Sequence, residues 1–240
     1  MCYQCPYLVG TAHDNPIIIG RVRHNPSTVV VLAGRPGEQV LAAIRRSLNV
    51  VLVHPEPVSA ANADGAGGTG GEAEAAAGAL RRAAGISAAY VLVPADPLAA
   101  VAEAWQAMWA LSAEPQRSDE FELRAAEAMS AWRAKRFELP DYYLVLADER
   151  VSGDASGGSG AGEVRADFHL GPLRAVRPNR VAVAAGVSPA AQADALLSEL
   201  GSLRHGPWWP PLDEVFRTAR SFYPGSLAES PTAGRASLLG

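Results

Sequence analysis

Four short apolar runs in this chain each stop at glycine or polar residues. They are Val29–Ala33 before Gly34-Arg35, Val50–Val53 before His54, Tyr90–Val93 shortly before Asp96, and Tyr143–Ala147 before Asp148-Glu149-Arg150. Helical spacing fills most of the intervals. A continuous apolar run of this length suits a strand buried on both faces, and strands alternating with helices form parallel sheets. The expected fold is α/β: a three-layer sandwich with a mainly parallel sheet and helices on both faces. A helical insertion over about 97–139 is expected, with an antiparallel edge from the last strands. In such a sheet the carboxyl ends of the strands meet on one rim, and ligand chemistry is expected there.

The helical intervals carry their own signals. Val40, Leu41, Ile44 and Leu48 fall on one face of a helix over Gly37–Leu48, with Glu38 in its first turn. Glu72–Ala84 is a second helix, stopped by Gly85. Leu98, Val101, Trp105, Met108 and Trp109 make the stripe of a third, and Ser118 caps a fourth. Ser188-Pro189 starts another, and Leu212–Phe222 is the last. Ile17-Ile18-Ile19 and Val22 read as a first strand. Ala166–Leu170 and Arg180–Ala184 read as two late strands, joined as a hairpin through Arg177-Pro178-Asn179. The expected organisation is one domain over 1–225, flexible inserts at 56–71 and 152–163, and a disordered tail over 226–240.

Composition narrows the function classes. A chain of 240 residues that is 48% hydrophobic can bury a substantial core. A formal charge of −4 gives no footprint for nucleic acid. No apolar run has the length of a membrane span, and Met1–Gly10 lacks the basic-then-apolar order of a secretory signal. A cytoplasmic protein with neither nucleic-acid nor membrane partners is expected. Lys135 is the one lysine among 21 Lys and Arg residues, a usage that resembles the coding bias of a high-GC bacterial genome. No Walker P-loop and no G-x-G-x-x-G is present. Lys135 sits in Arg133-Ala134-Lys135-Arg136, where its cation complements a helix end.

Several groups carry chemistry, each beside a plainer reading. Cys2 and Cys5 stand as C-x-x-C and, with His13 and His24, have the donor types of a tetrahedral zinc site. Their spacing matches no standard zinc motif, so incidental cysteines are the plainer reading. Gly34-Arg35-Pro36-Gly37 joins a strand to a helix. Arg35 and the amides around Gly37 suit a phosphate or carboxylate, while an ordinary βα turn is the plainer reading.

Asp148 and Glu149 follow their strand directly, with His54, Glu56 and Asp96 expected on the same rim. Oxygen ligands of this kind suit magnesium, and Asp148, Glu149 and His54 are the candidate general acids and bases. Solvated strand ends are the plainer reading. Asp167 and His169 would share a face of a strand, an arrangement that can orient an imidazole but lacks a nucleophile. Trp208 and Trp209, set among prolines, suit a partner surface, and cover for the end of the core is the plainer reading.

The triplet Asp148-Glu149-Arg150 after an apolar strand resembles one strand end of sugar-phosphate lactonases and aminosugar-phosphate isomerases. The early glycine-serine phosphate loop of those enzymes is missing, and three residues do not assign a family. Two functional readings follow. The first is a non-enzymatic accessory or regulatory partner protein using Trp208 and Trp209. The alternative is an enzyme or binding protein for a small anionic, phosphorylated metabolite, with Arg35, Gly37 and Asp96 as ligand-binding residues. Glycine-rich inserts leaving from the same rim put the accessory reading first, because catalysis needs rigid, water-excluding loops.

Overall fold

A computed structural model describes residues 27–34, 36–56, 69–109, 116–148 and 168–222, with backbone alone at 69–70, 116–118 and 147–148. Five strands form one sheet: β1 (Thr28–Ala33), β2 (Val50–Leu52), β3 (Tyr90–Val93), β4 (Tyr142–Asp148) and β5 (Val181–Gly186). Their order across the sheet is β2-β3-β1-β4-β5, and every pairing is parallel. The helices are α1 (Glu38–Ile44), α2 (Thr69–Ala83), α3 (Ala99–Trp109), α4 (Gln116–Arg133), α5 (Pro189–Ser202) and α6 (Leu212–Ser221). A π-helical turn over His169–Leu173, continued by Arg174–Val176, lies between β4 and β5.

Period-two alternation divides each strand between two cores. Val29, Val31, Val91, Val93, Tyr143 and Val145 face one layer, with α2, α3, α4, α6 and the π-helical turn. Val30, Leu32, Leu92, Leu144 and Leu146 face the other, with α1 and α5. The sandwich is thus three-layered, as the alternating runs require. The insertion between β3 and β4 is helical but not a separate body. Trp105 and Phe121 are fully buried in the first core, and Trp105 Nε1 donates to the Ala219 carbonyl at 2.8 Å, tying α3 to α6.

Two expectations are corrected. Among the described residues the last strands form no antiparallel edge: β5 runs parallel to β4, from Tyr143↔Val181 to Asp148↔Gly186. Residues 168–170 are helical rather than extended. Parallel strands need a crossover, and the π-helical turn belongs to it. Phe168 and Leu173, both fully buried, hold that turn against the first core. α2 begins at Thr69, three residues before the expected start at Glu72.

Two strand ends require glycine. Gly34 closes β1 with φ of +98°, and a Cβ there would lie 3.3 Å from the Leu146 carbonyl oxygen. Gly186 closes β5 against the start of α5, where a Cβ would lie 2.4 Å from the Gln192 amide nitrogen. That contact is backbone and cannot rotate away. Gly186→Ala is therefore expected to cost about 1–3 kcal/mol by overpacking. A urea midpoint unchanged from wild type would show that α5 shifts freely.

Candidate functional site

The carboxyl rim runs across the ends of β2, β3, β1, β4 and β5. The chain leaves β1 for α1 on one face. It leaves β3 and β4 for α3 and the π-helical turn on the other. Neighbouring strand ends whose loops depart to opposite faces open a crevice between them, and in parallel sheets this is where ligands lodge. Gly34 and Gly37 lie in the β1–α1 connection. Arg35, between Gly34 and Pro36, lies outside the described residues.

α1 spans seven residues. The amides of Val40 and Leu41 both donate to the Gly37 carbonyl, at 3.0 and 3.2 Å, and Glu38 already places an acid in the first turn. The Val40 amide is thus satisfied from within, and the acid of Glu38 leaves a further anion there dependent on the cation of Arg35.

The rim candidates separate. His54 follows β2, at the sheet edge, and its Nε2 accepts from Arg45 at 2.6 Å. Arginine only donates, so the ring's own proton sits on Nδ1. Arg45 also pairs with Glu38 at 3.0 Å, and Arg82 pairs with Glu56 at 2.9 Å while donating to the His54 carbonyl. Between β2 and β4 lie β3 and β1, so His54 stands about 14 Å from the end of β4 at ~4.8 Å per strand spacing. One small substrate does not bridge His54 and Asp148. The Asp148 backbone pairs with Gly186 at the end of β4; its side chain, and Glu149 and Arg150, lie outside the described residues.

Asp96 and His169 form the best-ordered polar pair near this rim, and the sequence does not pair them. His169 Nε2 donates to Asp96 Oδ2 at 2.8 Å, with His169 at 0% and Asp96 at 7% exposure. Asp96 Oδ1 accepts the Leu98 amide at 2.9 Å and holds the turn into α3. A carboxylate only accepts, so the imidazole presents its Nε2 proton to it. The ring sits 5.2 Å from Tyr143 and 5.6 Å from Phe168, centroid to centroid.

The Tyr143 hydroxyl is buried beside Asp96 without a hydrogen bond of good geometry. Burial first, and then the Asp96 charge, push the phenol well above its usual range. Asp96 thus engages both carboxylate oxygens inside the protein, one with His169 and one with the Leu98 amide. Each residue alone carries a local signal, Asp96 after a strand and His169 among apolar neighbours. Nothing local joins positions this far apart.

The two tryptophans part company. Trp209 is 6% exposed, donates from Nε1 to the Pro140 carbonyl at 2.7 Å, and meets Tyr143 edge-on at 5.8 Å. It belongs to the core. Trp208 is 38% exposed, with the Arg180 guanidinium 4.7 Å from its ring centre and the Arg177 Nε on its carbonyl at 2.7 Å.

Cys2, Cys5, His13 and His24, the zinc candidates, lie outside the described residues. Among the described residues no cluster of His, Cys, Asp and Glu has the arrangement of a metal site, and no helix is long and apolar enough to cross a membrane. No protein-family model matches this chain, and no curated protein matches it in sequence.

Proposed function

We propose that this is a cytoplasmic protein that binds a small anionic, phosphate-bearing metabolite in the crevice at the carboxyl end of β1. The opposed departure of the β1 loop and its neighbours carries this reading. It supports the reading because the Gly34–Gly37 connection follows a strand end of the kind at which parallel sheets hold ligands. Arg35 supplies the cation, and Asp148 and Glu149 follow the adjacent β4 in sequence.

The accessory-protein reading loses ground. Trp209 serves the core, and Trp208 is already held against Arg180.

A thermal-shift screen with nucleotides, sugar phosphates and divalent ions tests the proposal. A ligand at one hundred times its Kd stabilises by about 2.7 kcal/mol, a rise of roughly 5–10 °C in Tm for a chain of this size. Arg35→Ala is expected to abolish the rise without lowering the Tm of the free protein. If no phosphorylated compound stabilises the wild type, or the shift survives in Arg35→Ala, the crevice is not the site.

A further inference from the structure

A groove lies on the face of the sheet opposite α1, and it has a chemistry of its own. It has a volume of about 450 Å³ and opens between α2, α3 and α4. Ala77, Ala100, Val101, Ala128, Ala131 and Phe137 line its apolar part. Alanine at facing positions of three helices leaves the space that larger side chains would fill. The volume falls within the range of sites that enclose a small organic molecule, about 300–1,000 Å³.

The charges on the groove's lip are unevenly satisfied. Glu74 pairs with Arg81 at 3.3 Å, and Glu127 pairs with Arg124 at 3.0 Å. Arg124 also holds Glu120 at 2.7 Å. At the end of α4, however, Arg133, Lys135 and Arg136 stand within four successive residues, and Arg136 lines the groove itself. Among the described residues none of these three cations has an ion pair, and all three are exposed. The apolar trough thus ends at one cation, Arg136, that has no ion pair among the described residues. An uncharged apolar ligand would leave Arg136 idle, and a highly charged one would leave the trough wet.

We propose that this groove binds an amphipathic monocarboxylate, its aliphatic chain between α2, α3 and α4 and its carboxylate at Arg136. The site is independent of the crevice at β1 and stands whether or not a phosphorylated ligand binds there.

Calorimetric titration of the full chain with decanoate, and with decanol as the uncharged counterpart, tests the assignment. Saturable binding of one decanoate is expected, with decanol about fivefold weaker, the upper worth of one exposed charge pair. Arg136→Gln should weaken decanoate by a similar factor and leave decanol unchanged. Ala131→Phe, at a half-buried position on the groove wall, should abolish both while keeping a cooperative melt. Should that variant fail to fold, Ala73→Phe on the opposite wall makes the same test.

Three results overturn the proposal: no saturable decanoate binding to wild type, undiminished binding to the folded groove-filled variant, or no preference for decanoate over decanol. Sedimentation showing a wild-type dimer that Ala131→Phe dissociates assigns the groove to a second copy of the chain, and equally overturns it.

Discussion

Alanine in place of His169 is expected to lower the free energy of unfolding by about 3–5 kcal/mol, the cost of removing one member of a buried pair. The Asp96 side chain is 3% exposed, so water does not replace the imidazole readily. The Leu98 amide satisfies one carboxylate oxygen and leaves the other with only the poorly aligned Tyr143 hydroxyl. Asp96→Asn should cost less, about 1–2 kcal/mol. The amide oxygen still accepts from Leu98, and the other tautomer of His169 can accept from the new amide nitrogen.

Tyr143→Phe separates this account from simple core disruption. Its hydroxyl has no well-formed hydrogen bond and lies against a carboxylate, so its loss should change stability by no more than about 1 kcal/mol. Urea denaturation of the three variants, with unchanged m, reads all of this. If His169→Ala costs under ~1 kcal/mol, the pair does not hold α3 to the π-helical turn.

The parts of this protein that can be read from sequence are those that depend on near neighbours. Val29–Ala33 and Tyr143–Ala147 announce buried parallel strands because both faces of each must be apolar. The helices between them announce themselves through spacing and caps, as where Ser188 accepts from the Ala191 amide at the start of α5. The stretch Phe168-His169-Leu170 gives no such guidance. Three residues with apolar flanks satisfy a strand or a helical turn equally. The choice is made by a carboxylate on another element and by the crossover that a parallel β5 demands.

The rim candidates show the same limit. Apolar runs reveal that strands end at His54, Asp96 and Asp148, but not the order of those strands across the sheet. That order sets His54 apart from β4, and packing turns Asp96 inward. Trp208 and Trp209 carry one signal in sequence and take two roles in space. The backbone directs one indole toward Pro140 and the other toward Arg180.

Arg180 is the hinge of that last distinction, and Arg180→Ala is expected to cost about 3.5–5 kcal/mol. Its Nε donates to the Pro207 carbonyl at 2.8 Å, one terminal nitrogen to the Asp141 carbonyl at 2.9 Å, and the other to the Gly206 carbonyl at 2.8 Å. The same plane lies 5.3 Å from the ring centre of Tyr142 and 4.7 Å from that of Trp208. The residue is 8% exposed, and burial lowers its pKa from the usual arginine value.

Truncation leaves three carbonyls short of a donor, each costing about 1 kcal/mol or more where water does not reach. It also removes stacking worth about 0.5–2 kcal/mol. Lysine does not substitute, since one ammonium cannot reach three divergent carbonyls while lying flat between two rings. Arg180→Lys should therefore recover less than half of the loss.

The chain holds five tryptophans, so the emission of the clamp is read against the Trp208→Ala variant. Trp208 emission should shift to the red in Arg180→Ala while the protein remains folded at low denaturant. Trp209→Ala should cost about 3–5 kcal/mol as a core truncation, and Trp208→Ala no more than about 1 kcal/mol. If the two tryptophan variants are equally destabilised, Trp208 is as much a part of the core as Trp209. If Arg180→Ala leaves both stability and emission unchanged, the segment from His205 to Pro211 is held by other contacts and the clamp is incidental.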